Sequence, residues 1–118
     1  EKVINMKIEE GIFGEINREL VKSYTIMNNQ NIKVTCIDYG CTITRIDVPD
    51  KEGNIENIVL GFDSAEDYLH YSPYFGAVIG RVAGRVNPPS VDMEGFTYHL
   101  AENEGRTHLH GDLRDSIT

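Results

Sequence analysis

Short stretches in which apolar and polar residues alternate constrain the fold of this chain more than any other feature of its sequence. Alternation with a period of two places every second side chain on the same face of a strand, so that one face can be buried. The stretches that alternate, some only partly, are residues 3–8, 24–27, 32–37, 43–48, 55–60 and 96–100. Short strands at regular spacing, separated by turn residues, predict an all-β fold, an antiparallel β-sandwich.

The segments between these stretches have the composition of tight turns. Residues 28–31 read Asn-Asn-Gln-Asn, and asparagine tolerates a positive φ and hydrogen-bonds its own backbone. Residues 50–54 predict a hairpin loop with Gly53 in a left-handed conformation, and residues 92–95 predict another hairpin loop. One short helix is predicted at residues 65–69, with Ser64 as its N-cap.

Composition and charge exclude several classes of partner. The 118 residues carry a formal net charge of -8 at pH 7, so their surface repels nucleic-acid phosphates and anionic membranes. No apolar run is long enough to span a membrane, and the first residues lack the apolar core of a signal peptide. We therefore expect no nucleic-acid or membrane partner and a cytoplasmic location. A disulfide between Cys36 and Cys41 is one interpretation, but we favour two reduced thiols in the core.

Arginine side chains are the first candidates for a functional site. Arg81 and Arg85 lie in the glycine-rich string Gly80-Arg81-Val82-Ala83-Gly84-Arg85, which lacks the residue order of a nucleotide-binding loop. A guanidinium donates several hydrogen bonds in one plane and suits a polyhydroxylated ligand. By spacing alone, two surface arginines on a loop are the simpler interpretation.

Histidines are the second set of candidates. His108 and His110 lie on alternate residues, and we expect them to face opposite sides of an extended segment. They would then not form a compact metal-binding pair, and no third ligand is evident. A histidine that faces a sandwich is more often structural than catalytic. His70, after the predicted helix, and His99, in a predicted strand, are weaker candidates.

Several strings in the sequence resemble the aldose 1-epimerase (galactose mutarotase) family. They are Val34-Thr35-Cys36-Ile37-Asp38-Tyr39-Gly40, Ile58-Val59-Leu60-Gly61-Phe62-Asp63, Gly80-Arg81-Val82-Ala83-Gly84-Arg85 and Leu109-His110-Gly111. Each is weakly specific alone, but together, in this order and spacing, they are strongly specific. The resemblance implies a galactose-mutarotase-like β-sandwich, and residues 1–118 would be the N-terminal part of one such domain.

The resemblance also implies a reaction and its site. The family interconverts the α and β anomers of aldohexoses such as galactose or glucose, in hexose metabolism, and needs neither cofactor nor metal. Arg85 matches the arginine that binds sugar hydroxyls, and Gly84 matches the residue before it. His110 matches the first active-site histidine, beside the ring oxygen and the anomeric carbon. We therefore expect Gly84, Arg85 and His110 to bind substrate and His110 to be catalytic. A structural role is favoured for the other candidates, Arg81, His108, His70 and His99.

The chain also departs from the family pattern. Family members are much longer, and their second histidine, the proton donor, and their glutamate, the proton acceptor, have no counterpart in these 118 residues. Asp112 replaces the usual second glycine after His110 and adds a negative charge at the edge of the site. The isolated chain is expected to show little or no activity, since losing one proton-transfer group costs about two to four orders of magnitude.

Two other functions are compatible with the sequence. A non-catalytic carbohydrate-binding module would bind sugar saturably without interconverting its anomers. A structural or interaction fragment with an open apolar sheet face would self-associate, because such faces and unpaired edges are sticky. For the first two hypotheses, the enzyme and the binding module, the expected partner is an aldohexose.

Overall fold

Nine β-strands and one short helix make up the regular structure of the described residues. The computed structural model describes residues 5–80 and 82–111. The strands are β1 (Lys7–Ile16), β2 (Glu19–Met27), β3 (Lys33–Ile37), β4 (Ile43–Pro49), β5 (Ile55–Asn57), β6 (Arg85–Val86), β7 (Ser90–Met93), β8 (Phe96–His99) and β9 (His108–Leu109). Helix α1 (Ala65–His70) follows β5. All pairs between these strands are antiparallel, which confirms the predicted fold class.

The chain divides into two compact units, Glu1–Ala77 and Val78–Thr118. The first contains α1 and a five-stranded sheet in which the strands follow chain order, β1-β2-β3-β4-β5. The second contains two separate two-stranded sheets, β6-β9 and β7-β8. Glu94 and Gly95 join β7 to β8 with φ values of 53° and 83°, which is the left-handed geometry of a two-residue hairpin turn. No helix in the described ranges is long and apolar enough to cross a membrane.

The core of the first unit lies where α1 packs against the sheet. Ile37, at the end of β3, is completely buried, and Ala65 and Tyr68 bury one side of the helix. A Cβ added at Gly14 would lie 3.0 Å from the Cβ of Ala65, so glycine allows α1 to approach β1 closely. The Tyr68 ring meets Phe62 edge-on at 5.3 Å, and its hydroxyl accepts a hydrogen bond from the Phe62 N–H at 3.1 Å. Burial of these apolar side chains drives the packing of this unit.

The turns predicted at residues 28–31 and 50–54 are present, and one side chain organises each. Asn28 Oδ1 accepts two backbone N–H bonds from its own turn, at 2.9 and 3.0 Å. Asp50 Oδ1 accepts two from its loop, both at 2.8 Å. Hydrogen bonds from the Asn54 side chain and backbone hold the pKa of the Asp50 carboxyl below its usual range. Gly53 has a φ of 89°, the left-handed conformation that the sequence predicts.

Helix α1 begins where the sequence predicts. The Ser64 hydroxyl accepts a hydrogen bond from the Asp67 N–H at 3.2 Å, which satisfies one of the free donors of the first turn. The helix continues one residue beyond the prediction, to His70, and the Tyr71 N–H then bonds to the Asp67 carbonyl at 2.9 Å.

Strands β1 and β5 differ in extent from the prediction. The predicted strand at residues 3–8 begins outside the described residues, and β1 continues to Ile16. Gly11, Gly14 and a shift of register beside Gly14 interrupt the alternation, although pairing with β2 continues. Strand β5 ends at Asn57, three residues early, because the Asn57 side chain itself accepts the Ile46 N–H at 3.1 Å in place of a strand partner.

The prediction of two core cysteines is wrong for Cys41. Both thiols are free, but only Cys36, in β3, is half-buried, whereas Cys41 is exposed. Cys41 lies in the turn before β4 with a φ of 48°, where the chain reverses at the surface. Burial, followed by interactions with Cys41, raises the pKa of the Cys36 thiol.

We expect Gly76→Ala to destabilise the protein by about 2–4 kcal/mol, because a Cβ at this residue would collide with the backbone oxygen of Ile43 and Gly76 already has a φ of 64°. The Gly76 carbonyl also accepts the Ile43 N–H at 2.9 Å, so the two backbones cannot separate freely. Gly53→Ala is the matched control: its φ is also positive, but nothing lies within 4 Å of the added Cβ. Its cost should be only about 1 kcal/mol. Equal losses for both variants in chemical denaturation would contradict the steric argument.

Candidate functional site

The candidate site lies in the second unit, where β6 pairs with β9. Arg85 is the backbone partner of Leu109, and Val86 is the partner of His108. This short ladder places Arg85 beside the residue that precedes His110, although the two segments are far apart in the sequence. Gly84 directly precedes Arg85. The structure therefore brings the three predicted site residues to one end of a two-stranded sheet.

The Arg85 side chain is oriented by a carboxylate. Its Nε and Nη2 donate to the two carboxylate oxygens of Glu104 at 2.5 and 2.7 Å. This two-point geometry fixes the plane of the guanidinium, and its remaining N–H groups are left for other acceptors. The Arg85 side chain is 64% exposed, so those donors can reach a ligand in solvent.

The hydrogen bonds and the opposite charges of Arg85 and Glu104 shift the pKa values of both side chains. The Arg85 hydrogen bond and charge hold the pKa of the Glu104 carboxyl below its usual range, and His110 contributes electrostatically in the same direction. The Glu104 hydrogen bond raises the pKa of Arg85. A carboxylate, an arginine and a histidine thus interact within one small region of the second unit.

His110 lies just beyond the end of β9, in a backbone conformation unusual for its residue type. Its φ is 59°, and the φ of Gly111 is 87°, so two successive residues are left-handed. The expectation that His108 and His110 face opposite sides of an extended segment is wrong, because residues two apart on a strand share a face and because the extended backbone ends at Leu109. His110 is half-buried at the bend that follows the strand.

His108 has the surroundings of a structural residue. It is buried, with 2% of its surface exposed, and its Nδ1 lies 2.7 Å from the carbonyl oxygen of Ala101. A carbonyl only accepts, so Nδ1 carries a proton and donates to it. Within the described part of the chain, the buried Nε2 has no hydrogen-bond partner.

The other candidates lie elsewhere. Arg81 and Asp112 are outside the described residues. His70 ends α1 in the first unit, and His99 is exposed on β8. Among the residues that the structure describes, no group of three or more His, Cys, Asp or Glu side chains could hold a metal ion.

Sequence reasoning missed Glu104 as the partner of Arg85. Its separation of 19 residues from Arg85 follows no periodicity of a helix or strand. The pairing arises because the chain returns through residues 101–107 to form β9 beside β6. Its one signal in the sequence is that Asn103-Glu104-Gly105 also resembles the aldose 1-epimerase family.

Comparison with known proteins finds one family. The family model described as aldose 1-epimerase matches residues 22–117. Galactose mutarotase of Bos taurus is 38% identical over 111 residues, which cover 92% of this chain and 32% of that protein. Galactose mutarotase of Homo sapiens is 39% identical over 109 residues, covering 91% and 32% respectively. Aldose 1-epimerase of Streptococcus thermophilus is 36% identical over 106 residues, covering 90% and 30%.

Two solved structures are similar to the present one. Galactose 1-epimerase from Lactobacillus acidophilus NCFM superposes with a TM-score of 0.74 at 24% identity, over 97% of this chain and 33% of that one, which shows the fold. The GalM/aldose epimerase homologue from C. elegans superposes with a TM-score of 0.64 at 30% identity, over 70% of this chain and 25% of that one. The chain spans about a third of the length of the curated relatives it matches.

Replacing Arg85 by glutamine should return the pKa of Glu104 toward its ordinary value of 4.5. The Glu104 pKa is lower in the folded protein than in the unfolded chain. The stability that the ion pair contributes is therefore fully present above the ordinary pKa and is lost as the pH falls through the lowered pKa. Carboxyl ¹³C NMR titration measures the shift directly. Arg106→Gln, in the same loop, is the control and should leave the Glu104 pKa low. A Glu104 pKa that stays low in Arg85→Gln would show that another group causes the shift.

Proposed function

Because the chain belongs to the aldose 1-epimerase family, we propose that it contributes the sugar-binding part of an enzyme that interconverts the α and β anomers of an aldohexose. The family match over residues 22–117 supports this. The observation that carries the proposal is the pairing of Arg85 with Leu109, which brings the strand that holds the oriented Arg85 next to the residue that precedes His110. Galactose and glucose are the substrates that we propose.

The reaction requires two proton transfers on one sugar. A base removes the proton of the anomeric hydroxyl while an acid protonates the ring oxygen, and the bond between the anomeric carbon and the ring oxygen breaks. Rotation about the adjacent carbon–carbon bond of the open aldehyde, followed by the reverse transfers, closes the ring with the hydroxyl on the other face. Electrons are neither gained nor lost overall, so acid and base groups suffice.

Each residue of the site has a distinct role in this proposal. Arg85 binds sugar hydroxyls through the N–H groups that Glu104 leaves free, and Glu104 fixes their direction. His110 lies beside the ring oxygen and the anomeric carbon and polarises the sugar. Gly84 adds no side chain next to Arg85, which leaves room for the ring.

We propose that the proton donor and the proton acceptor, a histidine and a glutamate, are both supplied by the part of the family's length that these 118 residues do not span. The similarity of 97% of this chain to one third of a galactose 1-epimerase structure supports treating it as part of one mutarotase-like β-sandwich domain. The 118-residue polypeptide alone should then show little interconversion. The natural-length protein is here a chain of the family's full length that contains these 118 residues. Turnover by the 118 residues equal to that of the natural-length protein would contradict this division of roles.

In the natural-length protein, His110→Ala should lower kcat for interconversion by about 10²- to 10³-fold, because it removes a group that polarises the sugar at the reacting atoms. Arg85→Ala should raise KM by about 10- to 100-fold, because it removes charged hydrogen bonds to hydroxyls. Polarimetry of freshly dissolved α-D-galactose measures both, with spontaneous mutarotation as the baseline.

The control for both variants is His99→Ala, which alters an exposed histidine on β8 and should leave both constants unchanged. An unchanged kcat in His110→Ala would overturn the role of this histidine. Saturable galactose binding without any interconversion by the natural-length protein would instead identify a carbohydrate-binding module.

A further inference from the structure

The Asn103 side chain hydrogen-bonds to the backbone of the residues on both sides of His110. Its Oδ1 accepts the Leu109 N–H at 2.7 Å, and its Nδ2 donates to the Leu109 carbonyl at 2.8 Å. The same Nδ2 also donates to the Gly111 carbonyl at 2.7 Å. The carboxamide therefore pairs with Leu109 as a further strand residue would, and reaches past His110 to the next residue.

The backbone conformation of His110 needs hydrogen bonds of this kind to stabilise it. A left-handed φ of 59° is unfavourable for a residue with a Cβ, and the regular pairing of β9 has already ended. Three hydrogen bonds from one side chain hold the N–H and carbonyl of Leu109, just before His110, and the carbonyl of Gly111, just after it. Both sequence neighbours of His110 are therefore tied to Asn103, which restricts the backbone from which the imidazole extends.

Asn103 is itself anchored in the loop that returns to β9. Its N–H bonds to the Ala101 carbonyl at 3.1 Å, and that carbonyl also accepts the buried His108 Nδ1. Beyond it, Glu104 and Thr107 exchange two backbone hydrogen bonds, each 2.9 Å long. The loop is thus closed at both ends, so Asn103 has a fixed base from which to act.

We infer that Asn103 is a positioning residue that sets the orientation of the His110 imidazole toward the sugar. This inference rests on the proposed function for its catalytic consequence. The adjacent residue, Glu104, holds Arg85, so consecutive residues of one loop orient the two proposed substrate-binding side chains. Among side chains of this length, only the carboxamide both accepts from one N–H and donates to two carbonyls.

The test compares Asn103→Asp and Asn103→Ala in the natural-length protein. Aspartate keeps an acceptor for the Leu109 N–H but turns a carboxylate oxygen toward two carbonyl oxygens, so it should be no better than alanine. In both variants kcat per folded molecule should fall by about 10- to 100-fold, since a misplaced catalytic group costs this much. KM should change little, because Arg85 retains Glu104. The control is Glu102→Gln, an exposed neighbour in the same loop.

A second readout separates this inference from the proposed function. In ¹H–¹⁵N NMR spectra, both Asn103 variants should shift the His110 ring signals and speed hydrogen exchange of the Leu109 amide, and Glu102→Gln should do neither. If the wild-type protein does not interconvert anomers, the proposed function fails, and the NMR response still supports or overturns the positioning role. Unchanged His110 ring signals, or a full wild-type kcat in Asn103→Asp, would overturn the inference.

Discussion

The candidate site depends on the main-chain pairing of Arg85 with Leu109. This ladder is only two residues long on each side, yet it joins the end of the arginine string to the start of the histidine string. Without it, the guanidinium and the imidazole would belong to separate loops. The ion pair of Arg85 with Glu104 and the bend at His110 both build on this pairing, because each uses residues next to the ladder.

Short polar side chains that replace backbone partners recur throughout the fold. Asn28 and Asp50 organise the loops between strands of the first unit, and Asn57 ends β5 by accepting a backbone N–H from β4. Asn103 does the same in the second unit, beside the candidate site. Asparagine and aspartate suit this task because their side chains reach nearby backbone groups with little loss of conformational freedom. The same chemistry that shapes a loop in one place shapes a proposed reaction site in another.

The elements that can be predicted from the sequence are those that depend only on residues close together in the chain. Strands β3, β4 and β8 alternate over enough residues for their face to be recognised, and Ser64 marks the start of α1 by a cap that needs only its neighbours. Strand β1 escapes detection over much of its length because Gly11 and Gly14 break the alternation. Strands β6 and β9 have two residues each, too few to show any period. The pairing of Arg85 with Glu104 depends on the return of a loop, which no short-range pattern encodes.

The exposed ion pair of Arg85 with Glu104 determines the distance over which the site attracts a ligand. With its charge balanced, Arg85 presents directed N–H dipoles to solvent and little net positive charge. The field of such a dipole falls off faster with distance than that of a charge, so it attracts little from afar and acts at contact. A neutral polyol loses nothing under this arrangement, because its recognition depends on the direction of hydrogen bonds. An anion is not attracted to the ion pair over a long distance. It therefore approaches the site with no electrostatic advantage over a neutral polyol before either ligand contacts the protein.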